Sequence, residues 1–340
     1  ENKMKGLNVL SLFDGMSCGQ IALKRAGINV YKYHASEVDK YAIKVTQKNH
    51  PDTIQLGSII DLKEEDLYNL GKIDLLIGGS PCQGFSFAGK QKGSVTKCGV
   101  DVTTLNQYLK LKKEGFEFNG QSYLFWEYVR VWKIVKPKYF LLENVRITKK
   151  WQEMFDTAMG VKPIVINSAL VSAQNRVRYY WTNIKDISLP IDKGVLLKDI
   201  VLNGLPAFGC AIRGRYLPNG KTEQRLEFNG KEKSNALTTV YKDSLCCQVG
   251  NANIKGNESI KRVYSINGKS PTLTTMTGGL RWPKIALKNL VWRKLEPIEC
   301  ERLQTVPDNY TDCVSNSQRY KMLGNGWTVD VIAHIFKSLK

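Results

Sequence analysis

The stretch at residues 74–83, Asp-Leu-Leu-Ile-Gly-Gly-Ser-Pro-Cys-Gln, constrains the fold of this chain more than any other. Its apolar run is bounded by turn residues, which predicts a short buried strand. The two glycines are expected to turn the chain sharply, and Pro81 favours an extended Ser80. Cys82 then lies beyond the carboxyl end of a strand, where open α/β sheets bind ligands. A small core cysteine is the alternative, but this turn does not place a thiol for core packing.

Strand and helix patterns alternate on both sides of this stretch. This alternation predicts a mostly parallel sheet that is covered by helices on both faces. Strands are predicted over residues 7–12, 31–37, 53–56, 75–77 and 139–142, and helices over residues 20–26 and 123–135, from residue 297 and near the end of the chain.

A turn of small residues follows the first predicted strand. It runs from Phe13 to Gly19 and is expected to direct backbone N–H groups at a ligand. It lacks the GxGxxG pattern, so it does not indicate a dinucleotide site. Glu37 ends the second strand about twenty residues later, where an acid can hold ribose hydroxyls. The alternative role for Glu37 is a helix N-cap.

A polar stretch rich in glycine and lysine occupies residues 84–122. Loops of this length are usually functional lids or disordered insertions. A short helix is predicted within it, over residues 104–114. We expect the stretch as a whole to be mobile.

Composition narrows the class of protein. The 340 residues carry a formal net charge of +19, which favours a polyanionic partner. The 42% of hydrophobic and 24% of charged residues are typical of a soluble globular protein. No apolar run is long enough to span a membrane, and no secretory signal opens the chain. The eight cysteines form no CxxC pair and there are only three histidines, so we expect no metal site and reduced thiols in a cytoplasm.

Five short motifs stand in one order along the chain. They are Phe13-Asp14-Gly15, Gly79-Ser80-Pro81-Cys82-Gln83, Glu143-Asn144-Val145, Gln174-x-Arg176-x-Arg178 and Gly324-Asn325-Gly326. Together they resemble the C5-cytosine DNA methyltransferase family, in the style of the animal de novo enzymes and of short bacterial or phage enzymes. The resemblance runs from about residue 7 to residue 339, apart from a middle region.

The resemblance implies an α/β fold, a Rossmann-like S-adenosylmethionine-dependent methyltransferase sheet with helices on both faces. It also implies a smaller β-rich target recognition domain. We therefore expect a catalytic domain over residues 4–190 and a target recognition domain over residues 191–286. Residues 287–340 are expected to return to the catalytic domain, with the last helix beside the first strand.

The chemistry of cytosine methylation suits the residues at two strand ends. Cytosine C5 is a poor nucleophile, and a thiolate that adds at C6 activates it, which suits Cys82. An acid is then needed at N3, which suits Glu143. The alternative role for Glu143 is a helix cap or a salt-bridge partner. Arg176 and Arg178 alternate on one predicted strand and so face one side. The resemblance implies that Arg178 holds the O2 edge and that Arg176 helps to fix the site. A solvated strand face is the alternative for both.

The resemblance implies S-adenosylmethionine as cofactor. Its implied contacts are Phe13, Asp14, Gly15, Met16, Ser17, Glu37, Ser58, Ile59, Pro81, Leu124, Asn325 and Trp327. Ser58 departs from the family, which commonly carries an aspartate there for the adenine amino group. A hydroxyl accepts a weaker, uncharged hydrogen bond. Either cofactor affinity is lower or Asp61 substitutes.

The middle region has a composition of its own. Residues 191–286 hold 15 Lys and Arg against 7 Asp and Glu, in short β-like runs separated by Asn-Gly turn signals. Thr272-Leu273 resembles an element of the family's target recognition domains. Candidate contacts with substrate DNA, here and near the catalytic motifs, are Gln83, Ser86, Gln174, Arg213, Arg215, Arg262, Thr272, Leu273 and Arg281. A pair of ordinary hairpins is the alternative for this region.

The resulting prediction is a DNA (cytosine-5)-methyltransferase that acts on a flipped cytosine in double-stranded DNA. We expect a monomeric, cytoplasmic, nucleoid-associated enzyme of bacterial or phage origin, with or without a cognate restriction endonuclease. One alternative is a transfer-RNA cytosine-5 methyltransferase, although its typical Pro-Pro-Cys-Gln and Cys-Phe-Thr elements are missing here. The other is a non-catalytic DNA-binding relative, against which the intact Cys82 and Glu143 argue.

Overall fold

The computed structural model describes residues 6–81, 94–196, 199–202 and 295–339, and, between 209 and 293, the backbone of short strands. The chain divides into two compact units. The first comprises Glu1–Ile166, Val177–Ser188 and Ala333–Lys340, and the second comprises Asn167–Arg176 and Leu189–Ile332.

The first unit is built on a mixed sheet of seven strands with flanking helices. The strand order is β3-β2-β1-β4-β5-β8-β6. Strands β3, β2, β1, β4 and β5 pair in parallel, and β8 pairs antiparallel to β5. The strands are β1 (Leu7–Leu12), β2 (Val30–Ser36), β3 (Ile54–Gln55), β4 (Leu75–Gly79), β5 (Tyr139–Val145), β6 (Ile164–Asn167) and β8 (Val177–Thr182). The helices are α1 (Cys18–Arg25), α2 (Lys40–Asn49), α3 (Glu64–Asn69), α4 (Leu105–Lys113), α5 (Leu124–Val135) and α6 (Lys149–Met159).

The two glycines of the opening stretch have a different role from the one expected. Both lie inside strand β4, which continues to Gly79, so they do not form the turn. Gly78 pairs with Leu12 of β1, and a Cβ at this position would lie 2.9 Å from the Leu12 carbonyl oxygen and 3.0 Å from Tyr128. The glycine is therefore required because β1 and helix α5 approach the strand closely.

Residues 94–122 contribute a helix and buried side chains to the first unit, while the expected mobility of the polar stretch stays a prediction. Helix α4 spans Leu105–Lys113, as predicted, and its N-cap residue Thr104 accepts a hydrogen bond from the Gln107 N–H. Tyr108 and Val102 are buried in the main core. Residues 84–93 lie outside the described residues.

Aromatic side chains fill the core beneath helix α5. The rings of Phe125 and Phe155 stack with centroids 3.7 Å apart, and Phe155 packs against Trp181 of β8 at 5.0 Å. Large buried aromatic rings contribute much of the apolar area in such a core. This packing fixes α5 against the centre of the sheet.

The second unit combines short strands with helices. Its elements are a 3-10 turn (Ser168–Leu170), β7 (Gln174–Asn175), β9 (Gly209–Tyr216), β10 (Thr222–Phe228), β11 (Ser234–Asn235), β12 (Leu245–Cys246), β13 (Gln248–Asn251), β14 (Arg262–Tyr264), β15 (Ile285–Ala286), β16 (Trp292–Arg293), α7 (Pro297–Leu303) and α8 (Asn316–Asn325). A last helix, α9 (Val329–Phe336), crosses the boundary between the units. Strands β9 and β10 pair antiparallel, and the Asn219-Gly220 turn signal between them lies outside the described residues. No helix in the described part is long and apolar enough to span a membrane.

Candidate active site

The loop after β1 is held in an uncommon backbone conformation. Phe13, Gly15 and Ser17 all have positive φ, of 58°, 58° and 60°. Such values are uncommon for residues other than glycine, and they persist only where the surroundings enforce them. The Gly15 N–H donates to Glu37 Oε2 at 2.7 Å, and the other carboxylate oxygen accepts from Val38 and Asp39 N–H groups. Glu37 thus supports the loop, and the N-cap of α2 is Asp39, not Glu37.

The N–H groups of this loop are used differently from the sequence-based expectation. The Asp14 N–H donates to the Ser36 carbonyl, and the Ser17 N–H donates to the Asp14 carbonyl. Together with the bond from Gly15 to Glu37, these contacts lie within the protein. The loop is therefore shaped by internal hydrogen bonds, and the cofactor roles of its residues stay predictions.

Asp14 carries an unusual carboxyl group. It accepts hydrogen bonds from the hydroxyls of Ser17 and Tyr33, the latter at 2.7 Å. Burial raises the pKa of this carboxyl from 3.8 to about 6, and the charge of Glu37 adds to the rise, while the hydroxyl donors oppose it. Because the Asp14 carboxyl group binds Ser17 of the loop and Tyr33 of β2, it braces the loop.

Another part of the expected cofactor site lies between β3 and α3, and we call it the Ser58–Ile59 edge. Ile59 is buried, and its carbonyl accepts from Arg130 Nη2 of helix α5 at 3.0 Å. The Ser58 hydroxyl accepts from the Ile60 N–H at 3.2 Å, so it supports its own turn. Asp61 is exposed. Leu124, the first residue of α5, is buried in the core of the same unit.

Glu143 and Arg178 meet on neighbouring antiparallel strands. Glu143 pairs in register with Gly79 of β4, and Val145 pairs with Arg178 of β8. The Arg178 Nε lies 3.1 Å from Glu143 Oε1, without the alignment of a hydrogen bond, so the contact is an ion pair. Both side chains are about nine-tenths buried. The carboxyl group of Glu143 is therefore oriented by Arg178 and located beside the strand that leads to Cys82.

Asn144 has a positioning role that the sequence reasoning missed. Its amide nitrogen donates to the Ser80 carbonyl at 3.3 Å and lies 3.2 Å from the Ser80 hydroxyl, and its own oxygen accepts from the Val145 N–H. The end of β5 is thereby tied to the residues just before Pro81-Cys82. The Glu-Asn-Val motif itself was the available signal, because an asparagine beside a catalytic acid can brace a neighbouring loop.

Arg176 and Arg178 do not share a strand, which corrects the expectation that both face one side. Arg176 lies between β7 and β8 and belongs to the second unit. Its guanidinium donates to the carbonyls of Gly324 at 3.4 Å and Gly326 at 2.9 Å. Within that unit, Arg176 therefore holds the C-terminal end of helix α8, which carries Asn325.

The other motif residues of the second unit also engage the protein. Gln174 is fully buried, and its amide nitrogen donates to the Leu303 carbonyl at 3.1 Å. Gln304 donates to the Leu323 carbonyl at 2.6 Å and so braces the same helix end. Asn325 is the last residue of α8 and is exposed, and Trp327 is half-buried. The proposed contacts of Gln174, Asn325 and Trp327 with substrate or cofactor stay predictions.

The described part of the chain does not include the side chains of several predicted site residues. Arg213 and Arg215 belong to β9, opposite Arg225 and Glu223 of β10, and Arg262 begins β14 opposite Asn251. Outside the described residues lie Cys82, Gln83, Ser86, Thr272, Leu273 and Arg281. Within the described ranges, no cluster of three or more His, Cys, Asp or Glu side chains could hold a metal ion.

The mixed sheet with flanking helices defines an α/β protein, and its candidate site lies where β4 and β5 end. A family model described as C-5 cytosine-specific DNA methylase matches residues 7–340. The chain therefore belongs to the C-5 cytosine-specific DNA methylase family.

Similar proteins extend this result. The orphan methyltransferase M.SPBetaI of Bacillus phage SPbeta is 27% identical, over 99% of this chain and 98% of its own length. The orphan methyltransferase M.SPRI of Bacillus phage SPR is 26% identical, with the same coverage of both chains.

Two solved structures share the fold. The Entamoeba histolytica methyltransferase EhMeth has a TM-score of 0.59 at 16% identity, covering 99% of each chain. The S. pombe Dnmt2 methyltransferase has a TM-score of 0.58 at 14% identity, covering 98% of this chain and 99% of the other.

Proposed function

We propose that this chain is a DNA (cytosine-5)-methyltransferase that acts on a flipped cytosine of double-stranded DNA. The observation that carries the proposal is the Glu143–Arg178 ion pair at the end of β5, next to the strand that precedes Pro81-Cys82. Membership of the C-5 cytosine-specific DNA methylase family supports the choice of DNA as substrate. The high positive charge favours the same partner.

Cys82 is the proposed nucleophile. Its thiolate adds to cytosine C6, and the electron pair of the C5–C6 double bond moves toward C5, which makes C5 nucleophilic. Removal of the C5 proton after methylation then lets the Cys82 sulfur leave C6 and restores the double bond. The bonds from Asn144 to Ser80 steady the chain just before this cysteine.

Glu143 is the proposed acid at cytosine N3. A positioned carboxyl group that hydrogen-bonds or protonates N3 relieves the charge that builds up when the thiolate attacks. Arg178 orients Glu143 through the ion pair, and its guanidinium is a planar donor suited to the cytosine O2 edge. Arg176 contributes indirectly, since it holds the Gly324–Gly326 backbone within its own unit.

S-adenosylmethionine is the proposed cofactor, and it supplies a methyl group on a sulfonium centre that a carbon nucleophile can attack. The residues of the first unit fit such a ligand. The loop at residues 13–17 follows a strand end and is fixed by Glu37. The Ser58–Ile59 edge combines a hydroxyl with a buried apolar side chain and is held from α5. We retain Met16, Pro81, Leu124, Asn325 and Trp327 as predicted contacts.

We further propose that residues 191–286 recognise the target sequence and that residues 287–340 complete the methyl-transfer domain. The short paired strands of this region support a recognition role, because such strands can present side chains to a DNA groove. The names of the phage relatives describe them as orphan enzymes, which supports a phage or bacterial enzyme without a cognate endonuclease.

The test is methyl transfer from labelled S-adenosylmethionine to duplex DNA and, in parallel, to transfer RNA. We expect label at cytosine C5 of the DNA and none in the RNA. The Cys82→Ser variant should bind DNA as the wild type does and transfer no methyl group. Label in transfer RNA alone would show that the substrate is RNA, and label in neither would show a non-catalytic relative.

A further inference from the structure

A chain of hydrogen bonds leads from helix α4 to the Ser58–Ile59 edge. Its centre is Glu127 on α5, which is fully buried. Glu127 Oε1 accepts from the Tyr108 hydroxyl at 2.5 Å and from Lys112 Nζ at 2.6 Å, and Oε2 accepts from Arg130 Nε at 2.7 Å. Burial of a carboxylate is costly unless charges and donors compensate it, and three donors do so here.

Arg130 carries this network to the cofactor edge. Its Nε binds Glu127, while its Nη2 donates to the Ile59 carbonyl at 3.0 Å. A guanidinium holds its donors in one rigid plane, so the position of Glu127 sets the position of the Ile59 backbone. A lysine at this position has one nitrogen and could not hold both groups in this geometry.

Helix α4 orients Glu127 from the other side. Tyr108 and Lys112 are four residues apart and therefore share one face of the helix. Burial and the neighbouring Glu127 charge raise the pKa of Tyr108, so its hydroxyl remains a donor throughout the physiological range. Both residues come from the stretch whose glycines and lysines suggested only a lid, and the methyl-transfer chemistry uses neither of them.

Besides Arg130, the Ser58–Ile59 edge is held by its own turn and by the Ile59 side chain in the core. The turn is closed by the bond from the Asp61 N–H to the Ser58 carbonyl, and the Ser58 hydroxyl accepts from the Ile60 N–H. The Ser58 side chain is thus drawn toward its own backbone. The bond from Arg130 reaches this turn from helix α5.

We propose that Glu127 and Arg130 are positioning residues that set the Ser58–Ile59 edge for the adenine end of the cofactor, and that Tyr108 and Lys112 tune them from α4. The inference rests on the proposed cofactor site at this edge. It assigns Tyr108 and Lys112 a role in cofactor affinity and none in the chemical step.

The deciding variant is Arg130→Lys, which keeps a positive charge beside Glu127 and loses the second donor. We expect the KM for S-adenosylmethionine to rise about tenfold, with kcat and the KM for DNA unchanged. The dissociation constant of S-adenosylhomocysteine, measured by calorimetry, should rise by the same factor. Tyr108→Phe, which keeps the ring and removes one donor, should raise both constants about threefold.

The matched control is Lys110→Met on the same helix. Its side chain is 76% exposed and lies 3.9 Å from Glu114, away from Glu127, so it should leave all of these constants unchanged. Thermal unfolding without ligand checks the fold of each variant. If Arg130→Lys unfolds, Tyr108→Phe decides.

Two results would overturn the inference. One is unchanged cofactor binding in both variants. The other is a fall in kcat together with an equal rise in both KM values, which a purely structural role would cause. A wild-type protein that bound no S-adenosylhomocysteine would instead overturn the proposed function, so the two failures are distinguishable.

Discussion

Glu127 and Glu143 are two buried glutamates of one compact unit, and they have different surroundings. Glu127 is 0% exposed and accepts from three donors that come from two helices. Glu143 is 8% exposed at the end of a strand and pairs with Arg178. A carboxylate enclosed by protein donors can only position its neighbours, whereas one at a strand end can meet a substrate. Burial alone therefore does not identify a catalytic acid.

The largest expected effect separates the two glutamates directly. Glu143→Gln keeps the shape of the side chain and removes the acid, so the single-turnover methylation rate should fall by about 10²–10⁴-fold. Cofactor affinity should not change, because Glu143 is not assigned to the cofactor. Rapid-quench kinetics together with calorimetry measure both quantities. A weakened affinity at an unchanged rate would reverse the roles that we assign.

A substitution in residues 191–286 extends the comparison to sequence choice. Arg262→Ala should relax specificity at one base pair by about 1–3 kcal/mol, if this arginine reads a base edge. The rate on the best site should remain close to that of the wild type. Bisulfite sequencing of a randomised library measures the preference. A uniform loss across all sequences would instead assign Arg262 to phosphate contact.

Ser58→Asp sharpens the role of the edge that Arg130 supports. An aspartate can accept a charge-assisted hydrogen bond from the adenine amino group, worth about 1 kcal/mol more than that of a hydroxyl. We expect cofactor affinity to rise about fivefold. Asp61→Asn should change the affinity little, because Asp61 is exposed. A large loss on Asp61→Asn would show that this residue substitutes for the usual acid.

Asp14 is a third carboxylate in the same unit and gives the smallest expected effect. Its pKa in the folded chain is about 6 and its ordinary value is 3.8, so the folded state holds the proton more tightly. The resulting stabilisation is fully present below pH 3.8 and is lost as the pH rises through about 6.

The melting temperature of the wild type relative to Asp14→Asn should therefore fall by about 3 °C between pH 4 and pH 7. Differential scanning calorimetry of both proteins across this range is the measurement. Parallel pH profiles for the two proteins would show that Asp14 titrates normally.

Sequence patterns located the strands well, although β4 and β5 run two and three residues past their predicted ends. Strand β1 covers the predicted residues 7–12, and α5 begins one residue after the predicted start, because the apolar spacing of a buried strand or amphipathic helix is a local property. The Glu143 position followed from the same reasoning. Helix α4 was found for the same reason, although its surroundings were expected to be mobile.

Roles that depend on packing were not predictable in this way. Strand β4 needs a glycine at position 78 because Tyr128 and β1 crowd it, and no local sequence signal predicts this close approach. Arg176 and Arg178 look equivalent at a spacing of two, yet the chain passes from the second unit to the first between them. Glu127 did leave a signal, since it lies three residues after Leu124 and four before Val131, on the apolar face of α5. A charged residue on such a face needs partners that only the fold supplies.

The central claim is that Cys82 forms a covalent bond to cytosine C6. Duplex DNA in which 5-fluorocytosine replaces the target base tests it most directly, because fluorine at C5 blocks the elimination that would release the enzyme. With S-adenosylmethionine present, we expect a protein–DNA complex that survives denaturation, whose mass equals protein plus DNA plus one methyl group. Peptide mapping should locate the bond at Cys82, and Cys82→Ser should give no complex. Methylation of ordinary DNA without any trapped complex, or a bond at another residue, would contradict the claim.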